Sequence, residues 1–351
     1  MARVLVTGAN GHVGANTVRS LLARGHEVMP VVRQNADVRS LAGLGLAYRY
    51  ADVMDAEAVR AAAEGCDVIV HTAAVYRTWA KDPDDIVAPS IVGASNIYAA
   101  AKAVGAKRVV YTSSVAAVGL SASPDQVRTA AHWNEDARNP YFVAKVRGEQ
   151  EAIRLSEETG IATIRLCPTY VLGPWDYRIT PSTKSLVLGL IDGSGITWKG
   201  GVNIVHVADV GEAHARAVDQ GEPGGRYIVA GENIEVRQAG ALVERLTGVQ
   251  PRHLAMGRGA AMAAGAVLEL LGKLTGKEPQ FTRSLAYQVV ERYSYYDAEE
   301  TRRALGLVPK GAEEALRDSI RWLLALGLIN RRLSPEVAAA LAPEPEWVQA
   351  V

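Results

Sequence analysis

The chain has little cysteine: two residues in 351, Cys66 and Cys167, each inside an apolar stretch. This excludes a disulfide framework, and without a Cys-x-x-Cys or Cys/His cluster there is no sequence signal for a metal. Both thiols are expected to be buried and reduced. Net charge is lacking as well, with 38 Lys and Arg against 38 Asp and Glu. That balance gives no reason to expect nucleic acid or an acidic membrane surface as partner. No clean run of about 20 apolar residues is present, so no integral membrane span is expected. The most apolar stretch, Ala255 to Leu274, is interrupted by Arg258, Glu269 and Lys273, and Gly257, Gly259, Gly265 and Gly272 weaken it as a helix. Its plain reading is a buried or substrate-facing helix; the other is peripheral contact with a membrane or a greasy substrate. No secretory signal precedes the first strand, so a reducing, cytoplasmic location is the expectation.

What the chain does have is an apolar majority in its core-forming segments, 48% overall, enough for one large domain or two coupled ones. The first half alternates strand and helix patterns. Strands are expected at Arg3–Thr7, Glu27–Val32, Ala47–Ala51, Val68–His71 and Arg108–Thr112. Helices are expected at Val13–Arg24, Ala56–Ala63 and Ile86–Val104, and a sixth strand at Ile161–Leu166. This pattern predicts an α/β fold, a doubly wound parallel sheet with helices on both faces. After Pro168 the texture changes, and from Ile234 the chain reads as mostly helical.

Directly behind the first apolar strand comes Thr7-Gly8-Ala9-Asn10-Gly11-His12-Val13-Gly14. Strand, glycine turn and helix in that order form the entry to a nucleotide-binding βαβ unit. Gly8 permits the tight turn, Gly11 lets the backbone approach a pyrophosphate, and Gly14 lets the helix pack closely. Asn10, His12 and Val13 complete the candidate diphosphate site, over the unpaired N–H groups of the helix start. At the end of the second strand, NAD binders place a carboxylate for the ribose 2′-OH. Here the strand ends Val31-Val32-Arg33-Gln34. Arg33 suits a 2′-phosphate, with Arg39 as a possible helper and Asp37 too far past the strand to compete. NADP(H) is therefore the expected preference, with NAD(H) as the alternative.

Far downstream, Tyr141-Phe142-Val143-Ala144-Lys145 places a phenol and an ammonium on one helical face, one turn apart. A nearby ammonium, together with the positive charge of an oxidised nicotinamide, favours phenolate and lowers the phenol's ordinary value of about 10. Such a tyrosine can exchange a proton with a carbonyl or alcohol oxygen.

The Gly-x-x-Gly-x-x-Gly turn, the Ser113-Ser114 pair and the Tyr-x-x-x-Lys resemble, in this order, the extended short-chain dehydrogenase/reductase superfamily. The likeness is nearest to dihydroflavonol-4-reductase-like and 3β-hydroxysteroid dehydrogenase-like members and runs from residue 2 to about 327. Arg165-Leu166-Cys167-Pro168-Thr169-Tyr170-Val171-Leu172-Gly173-Pro174 and Asn203-Ile204-Val205-His206-Val207-Ala208-Asp209-Val210 match further motifs of that group. The resemblance implies a Rossmann-type domain at 1–168 and 204–233 and a smaller, mostly helical substrate domain at 169–203 and 234–327. Residues 328–351 read as a loosely attached tail. It implies Ser114, Tyr141 and Lys145 as catalytic residues. To the cofactor it assigns Asp52 and Val53 after the third strand, Ala73 and Ala74 after the fourth, Thr112, Lys145 and Pro168. The group often carries Asn-Val-x-Gly-Thr in the helix before the fifth strand. Here Ser90 and Ala94 stand in those places, so a proton-relay role for the Asn does not carry over. A homodimer through the helices at Ile86–Val104 and Tyr141–Glu158 is also implied only by resemblance.

Tyr76, Trp79, Trp133, Trp175 and Tyr177 are the candidate substrate aromatics, suited to a flat or greasy small-molecule carbonyl or alcohol. Three functions stand open at this point. The first is an NADPH-dependent carbonyl reductase, reversible as an alcohol dehydrogenase. The second is a nucleotide-sugar epimerase or dehydratase with tightly held NAD. The third is a non-catalytic nucleotide-sensing regulator.

Overall fold

A computed structural model describes residues 1–193, 196–253, 256–279, 281–329, 333–342, 344 and 347. Seven strands form one parallel sheet: β1 (Arg3–Thr7), β2 (Glu27–Val32), β3 (Arg49–Tyr50), β4 (Val68–His71), β5 (Arg108–Thr112), β6 (Ala162–Pro168) and β10 (Arg226–Val229). Their order across the sheet is β10-β6-β5-β4-β1-β2-β3. Helices α1 (His12–Ala23), α2 (Ala56–Ala63), α3 (Asp84–Val104), α4 (Val115–Val118) and α5 (Pro140–Thr159) follow the strands. This is a Rossmann-type, doubly wound α/β fold. The third strand is shorter than its sequence suggested, because beyond Arg49–Tyr50 the register with β2 ends.

The alternation of strand side chains sorts them onto two faces. Val4, Val6, Val70 and Val110 pack against α1 and against α8 (Val207–Asp219). Leu5, Ile69, Val109 and Tyr111 point the other way, into a core shared with α2, α3 and α5. Because both faces are covered, the strands read as continuous apolar runs rather than alternating ones.

A second, three-stranded sheet joins β7 (Tyr170–Leu172), β9 (Gly201–His206) and β11 (Glu232–Glu235). Between β7 and β9 the described residues include α6 (Pro181–Thr183), a π-helical turn at Lys184–Leu188, α7 (Gly189–Asp192) and the two-residue strand β8 (Ile196–Thr197). β8 pairs with β12 (Arg252–His253). The remaining helices are α9 (Val236–Thr247), α10 (Arg258–Thr275), α11 (Arg283–Val289), α12 (Glu299–Leu305), α13 (Ala312–Ala325) and α14 (Pro335–Ala340). Leu172, Leu186, Val236, Leu316 and Ile320 form the core beside the second sheet.

One expectation is met only in part, and one is corrected. The stretch expected to be a buried or substrate-facing helix is α10, and among its described residues only Ala261, Gly265 and Gly272 are buried. The helix packs through its smallest residues: a Cβ on Gly265 would lie 2.5 Å from the Thr282–Arg283 backbone. Its leucines are left outside. The segment read as a loose tail returns to the body where it is described. Trp347 meets Trp322 edge-on, and Arg321 pairs with Glu344 at 2.6 Å. Large aromatic burial and a guanidinium–carboxylate pair outweigh the local prolines; Pro343, Pro345 and the last four residues lie outside the described residues.

Candidate active site

The glycine turn is built by close approach. Gly8 sits at φ +67°, and a Cβ there would lie 2.7 Å from the Ala73 backbone. A Cβ on Gly14 would lie 2.2 Å from the Gly8 carbonyl oxygen. Ala73 thus abuts the turn, while Ala74 beyond it is exposed. Gly11 caps α1, so no capping side chain takes up the helix's first N–H groups. His12, Val13 and Gly14 open that turn, so their N–H groups point to where an anion belongs. His12 is buried, with Nδ1 3.8 Å from Asp176, and neither its Nε2 nor the Asp176 Oδ1 has a hydrogen-bond partner. Burial holds His12 below its ordinary value, against the pull of Asp176. The shape of the cradle and its free donors fit a dinucleotide diphosphate.

Around the cradle, Asn10 donates from Nδ2 to the Asp37 carbonyl at 2.8 Å and folds the loop after β2 over the turn. Asp37, distant in sequence, is therefore adjacent in space. Its carboxylate takes Nε and Nη2 of Arg39, which holds the acid below the usual carboxylate range. Arg39 is engaged, and its guanidinium also covers Tyr177 at 4.6 Å. Arg33 is exposed and, among the described residues, bridged to no carboxylate. Asp52 accepts the Met54 N–H on one carboxylate oxygen at 2.9 Å. The Val53 carbonyl accepts from Asn96, and its side chain faces Gly93.

On the neighbouring side, Asn139 caps α5 by accepting the Tyr141 N–H, and its Nδ2 donates to the Thr78 carbonyl. That cap fixes where Tyr141 begins its helix. The Tyr141 hydroxyl donates to Ser114 Oγ at 3.4 Å. Ser114 itself caps the one-turn helix α4, accepting from Ala116 N–H at 3.1 Å. Lys145, 7% exposed, donates to the Thr112 carbonyl at 3.2 Å. The three residues named from the Tyr-x-x-x-Lys pattern and the serine pair are thus brought together at the ends of β5 and α5. Burial pushes the Tyr141 phenol up, with Tyr76 adding and the Ser114 bond opposing. The sequence led to the opposite expectation, which rested on the ammonium together with the charge of an oxidised nicotinamide. Lys145 itself is brought down to about 8 by burial.

Two histidines missed in the sequence stand behind this site. The Thr112 hydroxyl meets His214 Nε2 at 2.8 Å, and His214 Nδ1 lies 2.7 Å from the Val210 carbonyl. A carbonyl only accepts, so Nδ1 carries the proton and Thr112 donates to Nε2. Thr7 and His71 are similarly joined at 2.8 Å. Burial takes His71 to about 3 and His214 to about 4, so both are neutral at pH 7.

Glu149 was also missed. It is fully buried, one turn beyond Lys145 on the same face, and that face continues Tyr141, Lys145, Glu149. Its carboxylate accepts Ser113 Oγ at 2.6 Å, Arg226 Nε at 2.6 Å and Nη2 at 3.0 Å, and Arg165 Nη1 at 3.3 Å. Ser113 is therefore a tie between β5 and α5. Ser90 lies where α3 crosses α5, its Cβ 3.2 Å from where a Gly148 Cβ would be.

The aromatics divide. Tyr76 stacks on Tyr141 with ring centroids 4.8 Å apart and meets Ser182 Oγ at 2.8 Å. Trp79 is half-buried. Trp133 carries the Arg226 guanidinium over its ring at 4.1 Å. Trp175 is buried between Arg19, 3.7 Å over the ring, and Trp322, while Tyr177 meets Trp322 edge-on. The last two thus sit in the cluster that ties the chain's end to α1. Pro168 is buried at the end of β6 and pairs with Val229.

The model of the NAD dependent epimerase/dehydratase family matches residues 4–230. The chain belongs to that family. It is 31% identical over 331 residues to sterol demethylase protein B of Methylococcus capsulatus, covering 93% of this chain and 99% of that one. It is 30% identical to dihydroflavonol 4-reductase of Callistephus chinensis, covering 69% of this chain and 72% of the other. Thermus thermophilus UDP-glucose 4-epimerase, solved with NAD, shares the fold at TM-score 0.71 and 22% identity, over 92% of this chain and 99% of its own. The family member is thus an extended short-chain dehydrogenase/reductase with reductase relatives, an NAD(P)-dependent oxidoreductase.

Proposed function

We propose that the chain is an NADPH-dependent reductase of ketones or aldehydes on hydrophobic or aromatic small molecules, reversible as an alcohol dehydrogenase. The observation that carries this reading is the Tyr141 phenol: it is kept protonated by burial and aimed at Ser114 Oγ, with Lys145 one turn behind it. The Gly8–Gly14 turn and the start of α1 would hold a nicotinamide dinucleotide, which would supply the hydride to the carbonyl carbon. Ser114 donates to the substrate's carbonyl oxygen and orients it. Tyr141 delivers its proton to the same oxygen as negative charge develops there. Lys145 would hold the cofactor ribose and, as a cation, eases the phenol's loss of its proton. His214, neutral, fixes Thr112, whose carbonyl in turn holds Lys145.

The apolar cluster containing Tyr141 supports the substrate class: Leu120, Trp198, Met256, Met262, Phe281 and Leu285 belong to it. Several of these come from 169–203 and 234–327, which supports reading those segments as the substrate-binding part. Tyr76, against the Tyr141 ring, and half-buried Trp79 are retained as substrate candidates. Exposed Arg33, with no carboxylate at the end of β2, supports NADP over NAD. Asp52 and Val53 fit the adenine end, and Pro168 and Thr112 the nicotinamide end. A homodimer across α3 and α5 belongs to the same reading.

The test is consumption of NADPH and NADH over a panel of aromatic, alicyclic and steroid-like carbonyl compounds, with Tyr141→Phe beside the wild type. Turnover that falls at least about 100-fold in the variant, with cofactor binding kept, is the expected result. Retained turnover refutes the assignment. No net consumption, with NAD co-purifying, would instead indicate an epimerase or dehydratase.

A further inference from the structure

Helix α10 is amphipathic the wrong way round for a helix in a soluble body. Val267, Leu270, Leu271 and Leu274 recur at the spacing of one helical face, and they are 59%, 58%, 50% and 75% exposed. Leu268 widens the stripe at 39%. The opposite face, Ala261, Gly265 and Gly272, is what the protein covers. Single exposed leucines are ordinary; a contiguous face of them marks an interaction site.

The charges around the stripe decide what covers it. Lys273 and Lys277 are exposed and, among the described residues, pair with no carboxylate. Arg283 is exposed beside them. Of the nearby carboxylates, Glu278 pairs with Arg77 at 3.5 Å, and Glu269, which accepts the Arg283 backbone N–H at 2.8 Å, is outnumbered by Lys273, Lys277 and Arg283. The rim is therefore locally cationic although the chain as a whole is neutral. A two-fold pairing of this face with a second copy brings like-charged rims together, which is unfavourable. An apolar arc with a cationic rim fits an anionic bilayer surface, with the leucines among the acyl chains and the lysines at the headgroups.

We infer that α10 docks the protein peripherally on an anionic lipid surface. The same helix reaches the site: Ala261 and Met262 in its first turns share the apolar cluster with Tyr141. Met262 and Leu274 are separated by about 18 Å of helix rise. The consequence for the substrate rests on the reductase reading: a carbonyl compound dissolved in the bilayer reaches Tyr141 along α10 without crossing water.

The test is flotation of the full-length protein with vesicles of phosphatidylcholine alone and of phosphatidylcholine mixed with phosphatidylglycerol. No turnover is needed, so its outcome is independent of the reductase assignment. The wild type is expected to float with the mixed vesicles and to be released by salt. Leu270→Gln, Leu271→Gln and Leu274→Gln combined should weaken binding at least about tenfold, since burial of even one leucine is worth that factor. Lys273→Glu with Lys277→Glu should abolish the preference for the anionic lipid. Both variants should melt like the wild type and keep turnover of a water-soluble ketone. A wild type that stays unbound, or a leucine variant that floats equally well, overturns the proposal. So does a concentration-dependent dimer lost in the leucine variant without vesicle binding, which would assign the face to a second copy.

Discussion

Replacing Glu149 by glutamine removes one negative charge from a site where it balances two guanidinium groups. Glu149 is 0% exposed and Arg226 8%, so water cannot compensate. The amide keeps the shape, and its oxygen still accepts from one arginine. Its NH2 then faces either Ser113 Oγ, which accepts, or a second guanidinium N–H, which does not. Breaking a buried pair this way costs about 3–5 kcal/mol. An unfolding entropy near 2.1 cal/mol/K per residue gives roughly 0.7 kcal/mol/K for the whole chain, so the melting temperature should fall by about 4–7 °C. A second readout separates stability from catalysis. Glu149 raises the Lys145 ammonium, which burial brings down to about 8. Without the carboxylate that value falls further, and the alkaline limb of kcat should move to lower pH. Thermal melting by circular dichroism and a pH profile taken well below the melt are the assays. A melt within about 1 °C of wild type, with an unmoved alkaline limb, would refute the reasoning.

Arg33→Ala should weaken NADPH about 10- to 100-fold and leave NADH nearly unchanged, as measured by fluorescence titration; equal losses for both would refute a 2′-phosphate role. Gly14→Ala puts a methyl 2.2 Å from the Gly8 carbonyl oxygen, so the turn must open. Calorimetry should show dinucleotide binding weakened at least about tenfold, with about 1–3 kcal/mol of stability lost to overpacking. His71 and His214 titrate at about 3 and about 4 in the folded protein, below the ordinary 6.5. As pH falls from about 6.5, the unfolded chain takes up these protons before the native one does, so stability drops. At pH 5 each histidine should cost up to about 2 kcal/mol relative to pH 7, read from urea midpoints. A midpoint unchanged between the two pH values would show that the histidines are not held neutral.

The cofactor half was legible because its signals are local. Gly8, Gly11 and Gly14 act within one turn, and β1, β2, β4 and β5 announce themselves as apolar runs flanked by turns. Tyr141 and Lys145 are one turn apart, so spacing alone puts them on one face. What escaped were contacts made across the fold. His214 reaches Thr112 from α8, and Arg226 reaches Glu149 from another strand. Asp37 looked too distant from the turn, yet Asn10 folds its loop back. Burial at Tyr141, which raises the phenol among the protein's own groups, leaves no mark in residue spacing. Trp175 and Tyr177 looked like pocket residues because aromatics near a cleft suit ligands; Trp322, far along the chain, occupies them instead. And α10 was read as buried or substrate-facing because an apolar segment normally is; its first turns reach the Tyr141 cluster, but its leucines lie outside.

The far edge of the main sheet has a bearing on how the protein is made. Strand β6 is finished by residue 168, but its neighbour β10 begins only at Arg226, after the chain has left to build the second sheet. A nascent chain halted between them carries an open strand edge. It also carries an internal carboxylate whose principal counter-charge has not been translated, since Arg226 lies 77 residues beyond Glu149. The ribosome must therefore release most of the intervening segment before the dinucleotide half can close. Until it does, the open edge is available to other chains. Residue 168 ends a strand, but it is no place to divide the gene: an amino-terminal fragment stopping there should be aggregation-prone, and one continuing past Val229 should be far less so.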